Sequence, residues 1–554
     1  MTRQIVPGMV GNSTGGGFVS LLIALLVVNV LLIAPGWLLP GGAGRTWLAV
    51  EAVAAVALFA LLPHTRWRRI AAWGAAAVLI LGSLLAFADA VFRLSLGRAL
   101  NLYLDIPLAA DAGRLIAGVA GGGGALVAAV VVSAAGLLAV RLIAGRLMRI
   151  ALPGGRRWTL AAAGAVAALA ALAAGAVPAA GPRVAAPVAR LAADQARHAV
   201  RMFNERDAFA AELGAAPADY AAVPRLLHRL RGRDVLIAFV ESYGMSAIED
   251  PRYAPVLGPR LDALAARTSA AGLHLATGRL AAPTQGGQSW FSHLSLLSGL
   301  WVDNQLRYDL LLAEGRETLI DDFRRAGHRS AALMPANTLA WPEGERLGYD
   351  EIWTRRDIDY AGPALNWVTM PDQFTWSFLQ RRIRRSGDPR PVFAELGLIS
   401  SHAPWTPILP VLDDWDAIGD GAVFERWRDA GEPPHELWLD HDRVREHFAL
   451  SVDYAVHAAT AYAERYVDER TLLIVLGDHQ PAPLITGEDA TRAVPVHVIS
   501  GDPALVRPFL GWGFAAGARP DRSRPAAGMD AFRDWFVGAF SAADRDKAKR
   551  NEAG

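Results

Sequence analysis

The chain changes its hydrophobic rhythm once, near residue 183. Before that point, long apolar runs alternate with short arginine-bearing turns. The runs are 18–40 (FVSLLIALLVVNVLLIAPGWLLP), 47–63, 70–92, 115–140 and 158–180. A helix needs ~20 apolar residues to cross a bilayer. The pattern therefore predicts five membrane helices, the second of them short and carrying Glu51. The first run is too long, and is followed by too many others, to be a cleaved leader. HTRWRR (64–69) and RLIAGRLMRIALPGGRR (141–157) belong on the cytoplasmic side by the positive-inside bias. An odd number of spans then puts the N-terminus inside and everything after residue 182 outside. The arginines of loop 92–114 fall on the outer side and run mildly against this assignment.

Residues 183–232 read as an amphipathic connector, with helical spacing in VARLAADQARHAVRMF. From 233 the text alternates. Apolar runs at 234–242, 328–336, 391–401, 471–481 and 493–503 read as buried strands. Segments 259–270, 318–327 and 447–466 carry helical periodicity. This alternation predicts an α-helical membrane domain (1–182) followed by an α/β sandwich with a mostly parallel central sheet (233–540), then a polar tail (541–554). Such sheets bind ligands beyond the carboxyl ends of their strands.

Polar residues fall at those ends. The first strand stops at Glu241, the third at Ser400, Ser401 and His402, and the fourth at Gly477, Asp478 and His479. Glu241 can cap a helix or ligate a metal. Asp478-His479 can form a turn or a ligand pair. Grouped at one sheet edge, their oxygen and nitrogen atoms suit a divalent cation such as Zn²⁺ or Mn²⁺. His402 is a loop histidine or a group for substrate or a second metal. TQGGQSWFSHLSLLSG (284–299) opens a helix, and Ser289 is either its N-cap or a nucleophile at an anion-binding helix start. Thr284, Ser292 and His293 lie close by in sequence as further candidates. Trp341 and Trp405 are packing residues or substrate platforms, and His497 sits inside a strand pattern and reads as structural.

Composition narrows the chemistry. The chain has no cysteine, which excludes disulfides, thiolate metal sites and cysteine nucleophiles. The net charge of +1 gives no global field for nucleic acid. Abundant Ala, Gly and Arg fit a GC-rich bacterial source.

These motifs together resemble the alkaline phosphatase and sulfatase superfamily. Within it the chain looks like the membrane-anchored phosphotransferases: lipoteichoic acid synthases, phosphoglycerol transferases and phosphoethanolamine transferases. VESYG places Glu241 at the family's acidic metal position, and GDHQP places Asp478 and His479 at its late metal pair. HAPW places His402 at its substrate-side histidine. The nucleophile helix ends nine residues later in Ser or Thr, and counting back from Ser298 reaches Ser289. The family's transferases use Thr there, which keeps Thr284 as the alternative. Ser289-Trp-Phe-Ser-His lacks the Pro and Arg of formylglycine sulfatases. WPEGERLGYD (341–350) resembles a substrate-pocket segment but lacks the expected Arg.

The resemblance implies one divalent cation (Mn²⁺, Zn²⁺ or Mg²⁺), with a second metal as an alternative use of His402. It implies transfer of phosphoglycerol or phosphoethanolamine from a membrane phospholipid, through a covalent Ser289 intermediate, to a glycan or lipid acceptor of the envelope. The expected location is a bacterial inner membrane, with the catalytic domain outside the cytoplasm. A hydrolase using water as acceptor and a non-catalytic binding module are the competing readings.

Overall fold

A computed structural model describes residues 14–39, 46–150, 159, 162–163, 184–214, 220, 223, 225–487 and 489–541. Apart from isolated positions, the expected fifth span and the polar tail fall outside the described residues. The chain divides into two compact units, Met1–Leu94 with Arg98–Glu205, and Ser95–Gly97 with Arg206–Gly554.

The first unit is helical. It contains α1 (Thr14–Ile33), α2 (Val50–Leu61), α3 (Arg66–Leu96) and α4 (Leu102–Met148), and α5 (Pro187–Gly214) begins in it. A two-residue strand β1 (Leu48–Ala49) pairs in parallel with β2 (Val184–Ala185). Among the described residues, three segments are long and apolar enough to cross a membrane: Val19–Leu38, Arg66–Leu96 and Leu126–Met148. Two of the other expected runs can be set against described helices. The second run folds as a helix of 12 residues, about 18 Å long, too short for a core of ~30 Å. The fourth expected run overlaps the apolar segment Leu126–Met148, inside a helix of 47 residues. Ala24, Ala52, Ala72, Ala76 and Ala144 are fully buried where these helices pack, small side chains that let backbones approach closely. Glu51, the odd carboxylate of α2, accepts the Ala189 N–H at 2.9 Å. It thereby satisfies an orphan donor in the first turn of α5.

The second unit is built on a sheet of nine strands: β3 (Asp234–Val240), β4 (His274–Ala281), β5 (Arg329–Met334), β6 (Glu351–Thr354), β7 (Val392–Leu398), β8 (Thr471–Gly477), β9 (Ala493–Ser500), β10 (Ala515–Ala516) and β11 (Ala527–Gly528). The order is β10-β4-β9-β8-β3-β7-β5-β6, with β11 beside β4. Strands β8, β3, β7, β5 and β6 run parallel. The strand expected near 493–503 is present but runs antiparallel to both neighbours. The sequence reading omitted β4 and β6. Strand β4 mixes polar and apolar residues, and β6 is only four residues long.

Both faces of the sheet are covered, which is why its central strands read as unbroken apolar runs. Along β3, Leu236, Ala238 and Val240 face α6 (Ala254–Ala270) and the long α9 (His441–Tyr466). Val235, Ile237 and Phe239 face α7 (Ser289–Ser298), α8 (Leu319–Arg325) and the last helix, α10 (Phe532–Phe540). On β8 the second set is Leu472, Ile474 and Leu476. Side chains alternate with period two, so Glu241 and Asp478 continue the parity of the α7 face.

Candidate active site

Parallel register brings the first two ligands together. Val240 pairs with Gly477 across β3 and β8, so the next residues, Glu241 and Asp478, emerge side by side. A Cβ on Gly477 would lie 1.8 Å from the Tyr243 carbonyl oxygen, so only glycine lets the two chains pass here. Val240 also pairs with Leu398 of β7, which sets Ser401 and His402 at the same edge. The Ser401 hydroxyl donates to the Glu241 carbonyl at 2.6 Å.

Ser289 arrives along a different path. Gln285 bridges to Gln480, and the Gly286 N–H donates to the Gln480 carbonyl at 2.8 Å. The chain then turns through three residues of positive φ: Gly286 (74°), Gly287 (146°) and Gln288 (63°). This explains the Gly-Gly-Gln text, since left-handed φ favours glycine. The N-cap of α7 is Gln288, and no side chain caps the helix. The N-cap reading of Ser289 is therefore corrected: Ser289 is the first helical residue and its hydroxyl is not spent on capping.

The Ser289 hydroxyl lies 3.3 Å from Nε2 of His479. The same nitrogen is 3.5 Å from Glu241 Oε1 and 3.5 Å from Asp478 Oδ2. His479 Nδ1 donates to the Gln480 carbonyl at 2.9 Å, so that hydrogen bond fixes the tautomer whose Nε2 carries a lone pair. Asp478 Oδ1 accepts the Ser242 and His479 N–H groups, both at 2.7 Å. Glu241 Oε1 accepts the Ser242 hydroxyl at 2.8 Å. One ligand atom from each of Glu241, Asp478 and His479 lies within 4.8 Å of the others. Ligands ~2.1 Å from a four-coordinate ion stand ~3.4 Å apart on a tetrahedron's edges. The spacings about His479 Nε2 match that edge, so the donor set fits a divalent cation with Ser289 as the fourth group.

The electrostatics also call for a cation. Burial and the neighbouring Glu241 charge push the Asp478 carboxyl up to about 6. Burial acts to raise Glu241 as well, but the charges of His479 and His402 hold it below its usual range. Burial acts to lower His479, yet the two carboxylates raise it. A buried and a half-buried carboxylate thus compete for one imidazole. The stability consequence follows from linkage. A folded-state value of about 6 for Asp478 favours the metal-free fold below pH 3.8, and that favour is lost as pH rises through about 6. The raised His479 acts in the same direction, and the lowered Glu241 opposes it. Chelation is therefore expected to lower the melting temperature more at pH 7.5 than at pH 5. Scanning calorimetry with and without EDTA checks this, and an equal drop at both values would contradict it.

The other expected residues fall into two groups. His402 stays at the site edge, exposed, with Nδ1 donating to its neighbour's carbonyl at Ala403, 2.5 Å away. His293 lies one turn along α7 from Ser289, its Nδ1 2.6 Å from Glu395 Oε1. Thr284 is turned aside, its hydroxyl donating to the Gly287 carbonyl at 2.7 Å. Ser292 and Trp405 are buried, which for Trp405 is the packing alternative. Ser292 is a buried residue of α7, and Trp405 donates to the Ser401 carbonyl and stacks on Trp438. Trp341 packs near Tyr349. His497 lies between the hydroxyls of Thr277 and Tyr243, and burial pushes it down to about 4, as suits a structural histidine. The sequence reading missed Ser242, Glu395 and Tyr349. Glu395 had a visible signal, a lone carboxylate inside the apolar strand PVFAELGL.

No protein-family model matches the chain, and no curated protein matches it. Among solved structures it is similar to the lipoteichoic acid synthase LtaP from Listeria monocytogenes, at 11% identity and TM-score 0.36 over 59% of this chain and 78% of that one. It is similar to the Streptococcus pyogenes phosphoglycerol transferase GacH in complex with sn-glycerol-1-phosphate, at 13% identity and TM-score 0.38 over 63% and 83%. A third is an alkaline phosphatase superfamily protein from Vibrio parahaemolyticus, at 15% identity and TM-score 0.33 over 58% and 69%. The site's own side chains, rather than these distant likenesses, carry the functional reading.

Proposed function

We propose that the chain is a metal-dependent phosphotransferase of a bacterial inner membrane. It moves a phospholipid headgroup phosphate, as phosphoglycerol or phosphoethanolamine, through a covalent Ser289 intermediate to a glycan or lipid acceptor of the cell envelope. The observation that carries this reading is the uncapped Ser289 hydroxyl at a helix start, 3.3 Å from His479 Nε2 and grouped with two carboxylates. A divalent cation held by Glu241, Asp478 and His479 would supply Lewis acidity and favour ionisation of a neighbouring hydroxyl.

The chain's residues do the rest. Ser289 Oγ, ionised beforehand by loss of its proton to solvent, attacks the donor phosphorus, and the bond from phosphorus to the diacylglycerol oxygen breaks. The diacylglycerol oxygen takes a proton from His402, whose Nε2 is free once Nδ1 is engaged by Ala403. An acceptor hydroxyl then attacks the phosphoserine diester and gives its proton back to His402. The Ser289–phosphorus bond breaks and Ser289 is regenerated. The first N–H groups of α7 and its positive dipole end stabilise charge on the phosphoryl oxygens. The apolar helices hold the chain at a bilayer, which raises the effective concentration of a lipid donor. That is the reason to prefer a lipid donor over a soluble one. A complete ligand set argues against a non-catalytic module.

Purified full-length protein with phosphatidylglycerol or phosphatidylethanolamine tests the reading. Transferase activity releases diacylglycerol in proportion to added acceptor. Release at the same rate with water alone, and headgroup phosphate free in solution, would instead make it a hydrolase. His402→Ala is expected to lower turnover by roughly 10²-fold while leaving metal affinity unchanged, and unchanged turnover would remove His402 from the mechanism.

A further inference from the structure

Beneath the proposed nucleophile, α7 meets β7 through a second polar cluster. Glu395 is the only acidic side chain of β7 and is 1% exposed. Its Oε1 accepts from His293 Nδ1 at 2.6 Å, and its Oε2 accepts from the Tyr349 hydroxyl. Burial and the Glu395 charge both push the Tyr349 hydroxyl well up, so it remains a donor. A buried carboxylate is costly unless it is hydrogen-bonded and matched by positive charge. Here no arginine or lysine pairs with it among the described residues, and His293 is the group that can supply the charge. The imidazole stacks flat on Phe239, with ring centres 3.8 Å apart and 19° between planes. That contact fixes its plane.

His293 is spaced i+4 from Ser289, so the two side chains share one face of α7. Side chains on a helix lean toward its N-terminus, which here is the proposed phosphate end. The side chain keeps 16% exposure, and its Nε2 has no protein partner among the described residues. It contributes to the electrostatics of the Asp478 carboxyl, so it lies within reach of the ligand cluster. A histidine that served only packing would leave neither a charged partner buried on one nitrogen nor an open nitrogen on the other.

We propose that His293 donates a hydrogen bond from Nε2 to a non-bridging oxygen of the substrate's phosphoryl group, and that Glu395 and Tyr349 are the positioning residues that hold its ring in place. This rests on the phosphotransfer reading above. It adds a phosphate-binding group supplied by helix α7 rather than by a loop.

The test uses full-length protein loaded with Mn²⁺, with inorganic phosphate as the probe in titration calorimetry. His293→Ala and Glu395→Gln are each expected to weaken phosphate binding roughly 10- to 100-fold, the range of a hydrogen bond to a charged group. Mn²⁺ affinity should stay as in the wild type. The double variant should bind phosphate no more weakly than His293→Ala alone, because the two residues act as one unit. Tyr349→Phe should fall between wild type and Glu395→Gln, and it decides the matter if Glu395→Gln does not fold. In turnover, His293→Ala should lower kcat more than it raises KM. Wild-type phosphate affinity in Glu395→Gln, or additive losses in the double variant, would overturn the relay while leaving the phosphotransfer reading intact. A wild-type protein that binds Mn²⁺ but not phosphate would overturn both.

Discussion

Asp478→Asn should strip the divalent ion and turnover together, yet make the metal-free protein more stable at pH 7.5. The two halves have one cause. Asp478 Oδ1 is committed to the Ser242 and His479 N–H groups, and Oδ2 faces His479 Nε2. An amide keeps the shape and the oxygen acceptor but removes the charge that a cation needs. Turnover should fall by ~10³-fold or more, a loss in the range seen when a charge-stabilising group is removed. In the metal-free state, the same charge is buried beside Glu241 with its carboxyl pushed up to about 6. Removing it relieves a desolvation cost at pH 7.5 that is absent at pH 5, where the carboxyl is already mostly protonated. Elemental analysis after dialysis, turnover, and calorimetry at both pH values check the three parts. Full metal content with lost turnover would show that Asp478 is not a ligand.

Ser289→Ala separates the nucleophile from the ion. The hydroxyl is one of three groups around His479 Nε2, and Glu241, Asp478 and His479 remain without it, so metal content should survive its loss. Turnover should not: removing a catalytic nucleophile costs ~10⁴-fold or more in enzymes that form a covalent intermediate. The contrast with Asp478→Asn is the informative result, one variant without metal and one with it, both inactive. Thr284→Val should keep most activity, because the Thr284 hydroxyl is bonded to the Gly287 carbonyl and turned from the ligands. If Thr284→Val were the inactive variant and Ser289→Ala the active one, the attacking hydroxyl would be misassigned.

Much of this site was legible in the text of the chain, for physical reasons that differ by residue. Glu241 and Asp478 each follow an apolar run that only a doubly covered parallel strand tolerates, so a carboxylate at its end announces a sheet edge. The Gly286-Gly287-Gln288 sequence announces a turn of positive φ before a helix. What pairs with what across the sheet was not legible. The reversed direction of β9 depends on its neighbours, β4 and β8, and β4 has no clean pattern of its own. The Glu395–His293–Tyr349 cluster joins three elements separated by 46 and 102 residues. The lone carboxylate in β7 signalled that a partner must exist without naming it. In the membrane half, the apolar run at 47–63 read as a span, but its folded helix is only 12 residues long.

The central claim is that Ser289 carries the transferred group. Intact mass spectrometry of the detergent-purified chain, after incubation with mixed phospholipids and Mn²⁺ or Zn²⁺, tests it beside Ser289→Ala. The account predicts a phosphoglycerol or phosphoethanolamine adduct on the wild type that is missing from the variant, and the added mass names the group. An adduct of equal yield on Ser289→Ala would contradict it.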